Sequence, residues 1–250
     1  MFGQNPLSDA QLALLANWIP YSIVGGNPDI DLATIPEDIW VGGGSAVLPT
    51  AARVHAIVSN SANDLGGGSP GTGCRTVLVT GINGSYALVS ETVILNGTTP
   101  VNTVGSYLWL EVAGATYGSG GTNAGDISAT AATDSTVTAK MLAGQKKSSG
   151  TYFIVPAGYT AHVLRWFGSI QSSVSGAVAL LNFTWLLYGS VTTKSLQILL
   201  SRENGRRVVE KRLDPYLVLP EKTIIKCRVE DVTADNVSVV AGYDLVLVAD

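Results

Sequence analysis

The alternation of apolar and polar residues predicts a succession of β-strands from about residue 53 to the C-terminus. Segments of strand length alternate or run apolar, and glycine and asparagine separate them. The twelve segments are 53–59, 75–82, 87–95, 106–117, 135–141, 151–158, 160–170, 177–189, 194–201, 206–213, 222–230 and 237–248. With no helical period between them, they predict an all-β protein: a jelly-roll-like β-sandwich, one large or two abutting. A closed β-barrel of the same strands is the alternative fold.

The first fifty residues follow a different pattern. In SDAQLALLANWI, Ser8 can cap a helix, the apolar residues recur at helical spacing, and Pro20 ends the segment. From Tyr21 to Pro49 no period is kept, which predicts an extended arm. We therefore expect an N-terminal helix and interaction arm over residues 1–50 and a β-sandwich body over residues 51–250.

Composition narrows the classes of partner. Only 14% of the 250 residues are charged, against about 25% in typical domains, which suggests that much of the surface meets protein. The net charge of −4 argues against nucleic acid as the main partner. The N-terminal segment lacks the features of a signal peptide, and no apolar run reaches the length of a membrane span. Cys74 and Cys227 are interpreted as buried thiols.

Candidate catalytic groups are few. His55 and His162, the two histidines, each lie within a strand pattern, and neither has a nucleophile motif beside it. No metal-ligand spacing and no phosphate-binding glycine motif is present, so no cofactor and no metal is expected. The strand carboxylates leave a glycan hydrolase open as a less favoured alternative, because paired carboxylates need spatial and not sequential proximity. They are Glu91, Glu111, Glu210 and Glu230.

Charge is segregated along the chain. Residues 1–50 contain five acidic residues and no lysine or arginine, whereas residues 194–228 contain nine basic and four acidic residues. The basic charges could simply solvate a sheet edge. Alternatively the acidic arm lies on the basic region, within a subunit or on a neighbour. Under this second hypothesis the partner-binding residues are Asp29, Asp31, Glu37, Asp38, Trp40, Arg202, Arg206, Arg207, Lys211 and Arg212, with Trp40 as the apolar anchor.

Several motifs resemble a family of tailed-bacteriophage virion proteins. They are NPDID, PEDIW, SETVILNGTTPV, GTNAGDI, YFIVPAG, LPEKTIIKCRVE and VSVVAGYDLVLV, and they extend from about Asn27 to the C-terminus. The chain is similar to the β-sandwich proteins encoded near the major capsid protein, called head decoration or cement proteins. The first twenty residues match nothing in that family.

The resemblance implies a non-enzymatic structural protein of the virion, assembled in the host cytoplasm, that clamps neighbouring capsid subunits. Its partners would be the major capsid protein and copies of itself in a symmetric trimer or dimer. A neck, tail or receptor- and carbohydrate-binding protein is the alternative, using aromatic residues such as Trp109, Tyr117 and Trp185. Because Trp109 and Trp185 lie in apolar strands, we expect both to be buried.

Overall fold

The computed structural model describes residues 18–201 and 207–250, with the side chain of Arg207 outside the description. These residues form sixteen β-strands and no helix, which confirms the all-β prediction. The strands are β1 (Trp18–Ile30), β2 (Glu37–Asp38), β3 (His55–Ser59), β4 (Cys74–Asn83), β5 (Leu88–Ile94), β6 (Val101–Asn102), β7 (Tyr107–Tyr117), β8 (Ile127–Ala131), β9 (Val137–Met141), β10 (Phe153–Ile154), β11 (Tyr159–Gln171), β12 (Val178–Leu186), β13 (Lys194–Ser201), β14 (Arg207–Leu219), β15 (Ile224–Val232) and β16 (Val237–Ala249).

The chain divides into two compact units. Unit 1 combines the described part of Met1–Ser45 with Gly150–Asp250, and unit 2 is the continuous segment Ala46–Ser149. The division predicted near residue 50 therefore has to be corrected, because residues 18–45 belong to the same unit as the C-terminal hundred residues. A change in composition marked the start of unit 2, but composition carries no information about which distant segment a strand will pair with.

Unit 1 is built from two antiparallel sheets. One has the strand order β1-β16-β11-β14, and the other has the order β10-β15-β12-β13 with β2 also paired to β15. The ring of Phe183 in β12 lies 5.1 Å from that of Tyr243 and 5.9 Å from that of Trp166, which belong to the other sheet. All three side chains are fully buried. The two sheets therefore face each other across an aromatic core.

Unit 2 also consists of two antiparallel sheets, with the orders β6-β3-β8-β9 and β5-β4-β7. Its core is mainly aliphatic and takes side chains from both sheets, including Ile57 and Ile127 from the first and Val77, Val79 and Val112 from the second. The glycine-rich segments predicted as loops, 63–74 and 118–126, connect these strands, apart from Cys74, which begins β4.

The N-terminal segment differs from its prediction. Residues 8–17 of the expected helix lie outside the described residues, but Trp18 and Ile19 begin strand β1. Instead of an extended arm, β1 pairs with β16 from Trp18↔Val248 to Ile30↔Val237. Pro20 was predicted to end a helix, but it lies within β1, because proline is tolerated in an edge strand, where one side of the backbone needs no partner.

One edge strand of the second sheet of unit 1 comes from two separate stretches of sequence. β2 pairs with β15 at Asp38↔Arg228, and β10 pairs further along the same edge at Phe153↔Ile225. Between them, the backbone of Trp40 forms a bridge with that of Gly150. Residues 37–40 and 150–154 thus form two halves of one edge strand, and unit 2 lies between these halves in the sequence.

Candidate partner-binding site

One acidic residue of the predicted arm, Asp38, meets basic residues of its own chain. Asp38 lies opposite Arg228 on the edge of β15, and Glu37 lies opposite Val229. The Asp38 side chain is fully buried, and that of Glu37 is nearly so. A buried carboxylate needs a charged partner or hydrogen bonds, and β15 supplies these to Asp38.

Asp38 lies at the centre of a four-residue cluster. Lys226 Nζ is 2.9 Å from Asp38 Oδ1 and 3.0 Å from Oδ2. The hydroxyl of Tyr152 donates to Asp38 Oδ2 at 2.8 Å and accepts a hydrogen bond from Lys226 Nζ at 2.9 Å. Arg228 Nε is 3.9 Å from Asp38 Oδ1. Two cations and one hydroxyl therefore surround a single buried carboxylate.

The cluster also affects its neighbours. Burial raises the pKa of Tyr152, and the charge of Asp38 and the hydrogen bond to it raise it further. Burial, followed by the charge of Asp38, likewise raises the pKa of the Cys227 thiol. Both groups are therefore protonated at neutral pH, and Cys227 is an inert, fully buried thiol, as the sequence suggested.

Glu37 fastens the following loop to β1. Its Oε2 accepts hydrogen bonds at 2.8 Å from Asn27 Nδ2 and from the backbone N–H of Gly44, and Thr34 donates to its other oxygen. Glu37 is thus used inside unit 1 and is not presented to a partner.

Trp40 is also an internal residue. It is 9% exposed, and its Nε1–H donates to the carbonyl of Gly43 at 2.9 Å. A Cβ atom on Gly42 would lie 2.1 Å from the Trp40 ring, so the loop covers the ring closely. This placement corrects the expectation of an apolar anchor offered to a neighbour, because the side chain has already been buried by its own unit.

The two remaining acidic residues lie near the surface. Asp29 is exposed, whereas Asp31 Oδ1 accepts a hydrogen bond from the N–H of Asn236 at 2.8 Å. The adjacent Leu32 N–H donates to Asp235 at 2.9 Å. Asp31 therefore ties the segment after β1 to the β15–β16 connection.

The predicted basic residues occupy a different edge. Arg202 and Arg206 lie outside the described residues, and Arg207 begins β14, the edge strand at the far side of the first sheet from β1. Lys211 and Arg212 are exposed on the same strand, and Arg212 Nε is 3.2 Å from Glu210. Asp38 is instead matched by Lys226 and Arg228, which the charge count included but the site prediction omitted. No feature of the sequence indicated that Tyr152 would contact Asp38.

The other candidate groups are embedded in the fold. His55 is buried, with its ring nitrogens 2.9 Å from the Arg53 carbonyl and from Thr138 Oγ1. Trp109 and Trp185 are buried, as expected. Among the described residues, no group of three or more histidine, cysteine and acidic side chains could hold a metal ion. No helix in the same residues is long and apolar enough to span a membrane.

Comparison with known proteins gives little guidance. No protein-family model matches the chain, and no curated protein matches it significantly. A solved structure titled "Structure of infectious bursal disease virus Gx strain" aligns over 94% of this chain and 79% of its own, with 12% sequence identity and a TM-score of 0.13. A TM-score this low does not establish a common fold, so function must be argued from the chain's own features.

Proposed function

We propose that the chain is a non-enzymatic structural protein of a virus particle, of the capsid decoration or cement type. The observation that carries the proposal is the strand order of unit 1. Numbering the eight strand positions of unit 1 along the chain, with β2 and β10 together as the second, the sheets read 1-8-3-6 and 2-7-4-5. This is the order of a jelly roll made of two Greek keys, an architecture used in viral capsid domains.

The jelly-roll description is itself part of the proposal. It is supported by the two facing sheets of unit 1. It also relies on counting β2 and β10 as one strand, because the segment between them in the sequence is unit 2. Since fold alone does not determine function, the resemblance of PEDIW and SETVILNGTTPV to phage virion proteins supplies the second line of support.

The contact surface we propose is β14 and not the acidic segment. Residues 37–40 are buried within unit 1, so they are not available to clamp a neighbour. On β14, by contrast, Val208 is 66% exposed and Val218 is 52% exposed, with the exposed Lys211 and Arg212 between them. An edge strand that offers both exposed apolar side chains and exposed charged side chains is suited to a partner surface with apolar groups and complementary charges.

Binding to heads that lack this chain tests the proposal. We expect purified chain to bind such heads at symmetric positions in a cryo-electron microscopy map and to raise the temperature at which they break open. Lys211→Glu together with Arg212→Glu should weaken that binding at least tenfold, or about 1.4 kcal/mol. Lys146→Glu, a single charge reversal at an exposed residue of unit 2, is the control.

A map that places the chain on the tail would contradict the decoration role. Jelly rolls also occur in lectins, and Tyr188 is an aromatic side chain with 65% exposure. Saturable binding to host glycan, lost in Tyr188→Ala, would favour the receptor-binding alternative.

A further inference from the structure

We propose that Asp38 and Lys226 become joined by an intramolecular isopeptide bond, which fastens the first half of the interrupted edge strand covalently to β15. The inference goes beyond the particle role and does not depend on it. It is carried by the arrangement of Asp38, Tyr152 and Lys226 in unit 1.

The two reacting groups are held together by the strand register. Because Asp38 lies opposite Arg228, the residue two positions along β15 on the same face is Lys226. Its Nζ is within 3.0 Å of both carboxylate oxygens. Since Asp38 is fully buried, its carboxyl group has little access to competing water. Such proximity replaces a bimolecular encounter with an intramolecular step.

Tyr152 provides a route for the proton. Condensation needs a neutral amine and a neutral carboxylic acid, whereas the resting pair is an ammonium and a carboxylate. The Tyr152 hydroxyl accepts from Lys226 at 2.9 Å and donates to Asp38 Oδ2 at 2.8 Å. It can therefore pass one proton from lysine to aspartate and end in its original state. The pKa of Tyr152 is raised by burial, which keeps the hydroxyl protonated between transfers.

The bond changes then balance without a co-reactant. The lone pair of Lys226 Nζ attacks Cγ of Asp38, and the positive charge of Arg228, 3.9 Å from Oδ1, stabilises the charge that develops on that oxygen. A proton passes from Nζ to the hydroxyl derived from Oδ2, again through Tyr152. The Cγ–O bond breaks, water leaves, and a Cγ–Nζ amide remains. Ammonium plus carboxylate give amide plus water, and nothing is oxidised or reduced.

The position of the bond gives it a role in the fold. Asp38 precedes the insertion of unit 2, and Lys226 lies in β15, the strand against which both halves of the interrupted edge pair. β2 is only two residues long, so backbone hydrogen bonds alone hold it weakly. A covalent link between β2 and β15 would keep the first half of the edge strand in place.

The test is the intact mass of the full-length folded chain after denaturation. We expect the chain to be lighter than its sequence mass by one water, about 18 Da. Digestion should give a branched peptide that joins the Asp38 segment to the Lys226 segment. Lys226→Arg keeps the positive charge but cannot form the amide, so it should show the full sequence mass. This control also separates the isopeptide from dehydration of an aspartate elsewhere.

Two further variants identify the mechanism. Asp38→Asn can form the same amide by losing ammonia, so its product should have the same final mass as the linked wild-type chain. Tyr152→Phe removes the proton route and should slow the appearance of the lighter species severalfold in freshly refolded protein, whereas a purely structural tyrosine would leave that rate unchanged. A folded wild-type chain that keeps its full mass and remains cleavable by trypsin after Lys226 overturns the proposal.

Discussion

Units 1 and 2 are both made of facing antiparallel sheets, but different interactions hold them together. Unit 1 pairs long strands from opposite ends of the chain and fills its core with large aromatic rings, among them Trp166 and Phe183. Unit 2 is one continuous segment with a smaller, mainly aliphatic core that includes the buried ring of Tyr107. Its glycine-rich loops are fastened by a buried carboxylate, Asp64. The comparison shows that a β unit with little aromatic core can be stabilised by polar contacts to loop backbone.

The largest effect is expected from the core of unit 1. Trp166→Ala removes a fully buried ring that contacts Phe183 and should destabilise unit 1 by about 4 kcal/mol. Hydrogen–deuterium exchange, followed peptide by peptide, should show faster exchange throughout unit 1. Val191→Ala, at a side chain that is 99% exposed, is the control. If unit 2 loses the same protection, the two units do not have separate cores.

The next effect concerns Asp64. Its carboxylate accepts hydrogen bonds from Ser59 Oγ at 2.6 Å and from the N–H groups of Cys74, Ala124 and Gly125 at 2.7, 2.8 and 2.9 Å. Asp64→Ala leaves these buried donors without their acceptor and should cost unit 2 about 3 kcal/mol. Chemical denaturation with exchange detection measures the loss.

Asp231→Ala, at an exposed residue of unit 1, is the control for this substitution. Unchanged exchange in the two glycine-rich loops of the Asp64 variant would mean that their backbone contacts hold them without the carboxylate.

A smaller effect distinguishes two glycines of one loop. A Cβ atom on Gly71 would lie 2.1 Å from the carbonyl oxygen of Asn63, so Gly71→Ala should destabilise unit 2 by about 2 kcal/mol. At Gly67 a Cβ atom meets nothing within 4 Å, and Gly67→Ala should leave the thermal unfolding midpoint unchanged. Equal unfolding midpoints for the two variants would show that the loop backbone can move to accept the Gly71→Ala side chain without loss of stability.

The smallest effect is a dependence on pH. Burial lowers the pKa of His55 below its ordinary 6.5, although the hydrogen bond to the Arg53 carbonyl and the charge of Asp134 oppose this. Below pH 6.5 the His55 imidazole is protonated in the unfolded chain but stays neutral in the folded chain. Unit 2 should therefore lose stability as the pH falls from 6.5 to the lowered pKa of the folded state. The slope cannot exceed about 1.4 kcal/mol per pH unit.

Urea titrations at several pH values measure this slope. His55→Gln, compared with the parent chain, isolates the contribution of the histidine. If the stability of the variant changes with the same slope between pH 6.5 and the lowered pKa, groups other than His55 cause the pH dependence.

The predictions from the sequence succeeded where the signal was local. Segments such as 75–82 and 237–248 show the apolar pattern and the length of a strand in their own residues. They lie in β4 and β16. Strand β8 was missed because ISATA is short and built largely of small residues. Strand β1 was missed because its first residues continue a helical spacing of apolar residues and the segment from Tyr21 onward keeps no period.

The candidate site shows the same limit. The acidic and basic charges were counted correctly, but a count does not say which carboxylate meets which cation. Lys226 and Arg228 reach Asp38 because β2 and β15 pair, and Trp40 is covered because its loop folds back over it. The first of these contacts depends on pairing between residues almost two hundred positions apart, and the second on the path that the loop takes after Trp40.

By itself, the sequence determined that this protein is all-β, where most of its strands lie, which segments are glycine loops and how its charge is distributed. A strand's period of two and a glycine's freedom of backbone conformation are properties of a few neighbouring residues. Only the tertiary structure decided that residues 18–30 complete a sheet with residues 237–248, that unit 2 interrupts an edge strand, and that Asp38 is neutralised within its own chain. Strand pairing depends on the whole molecule, because the stable arrangement is the one that buries the apolar faces of all strands together.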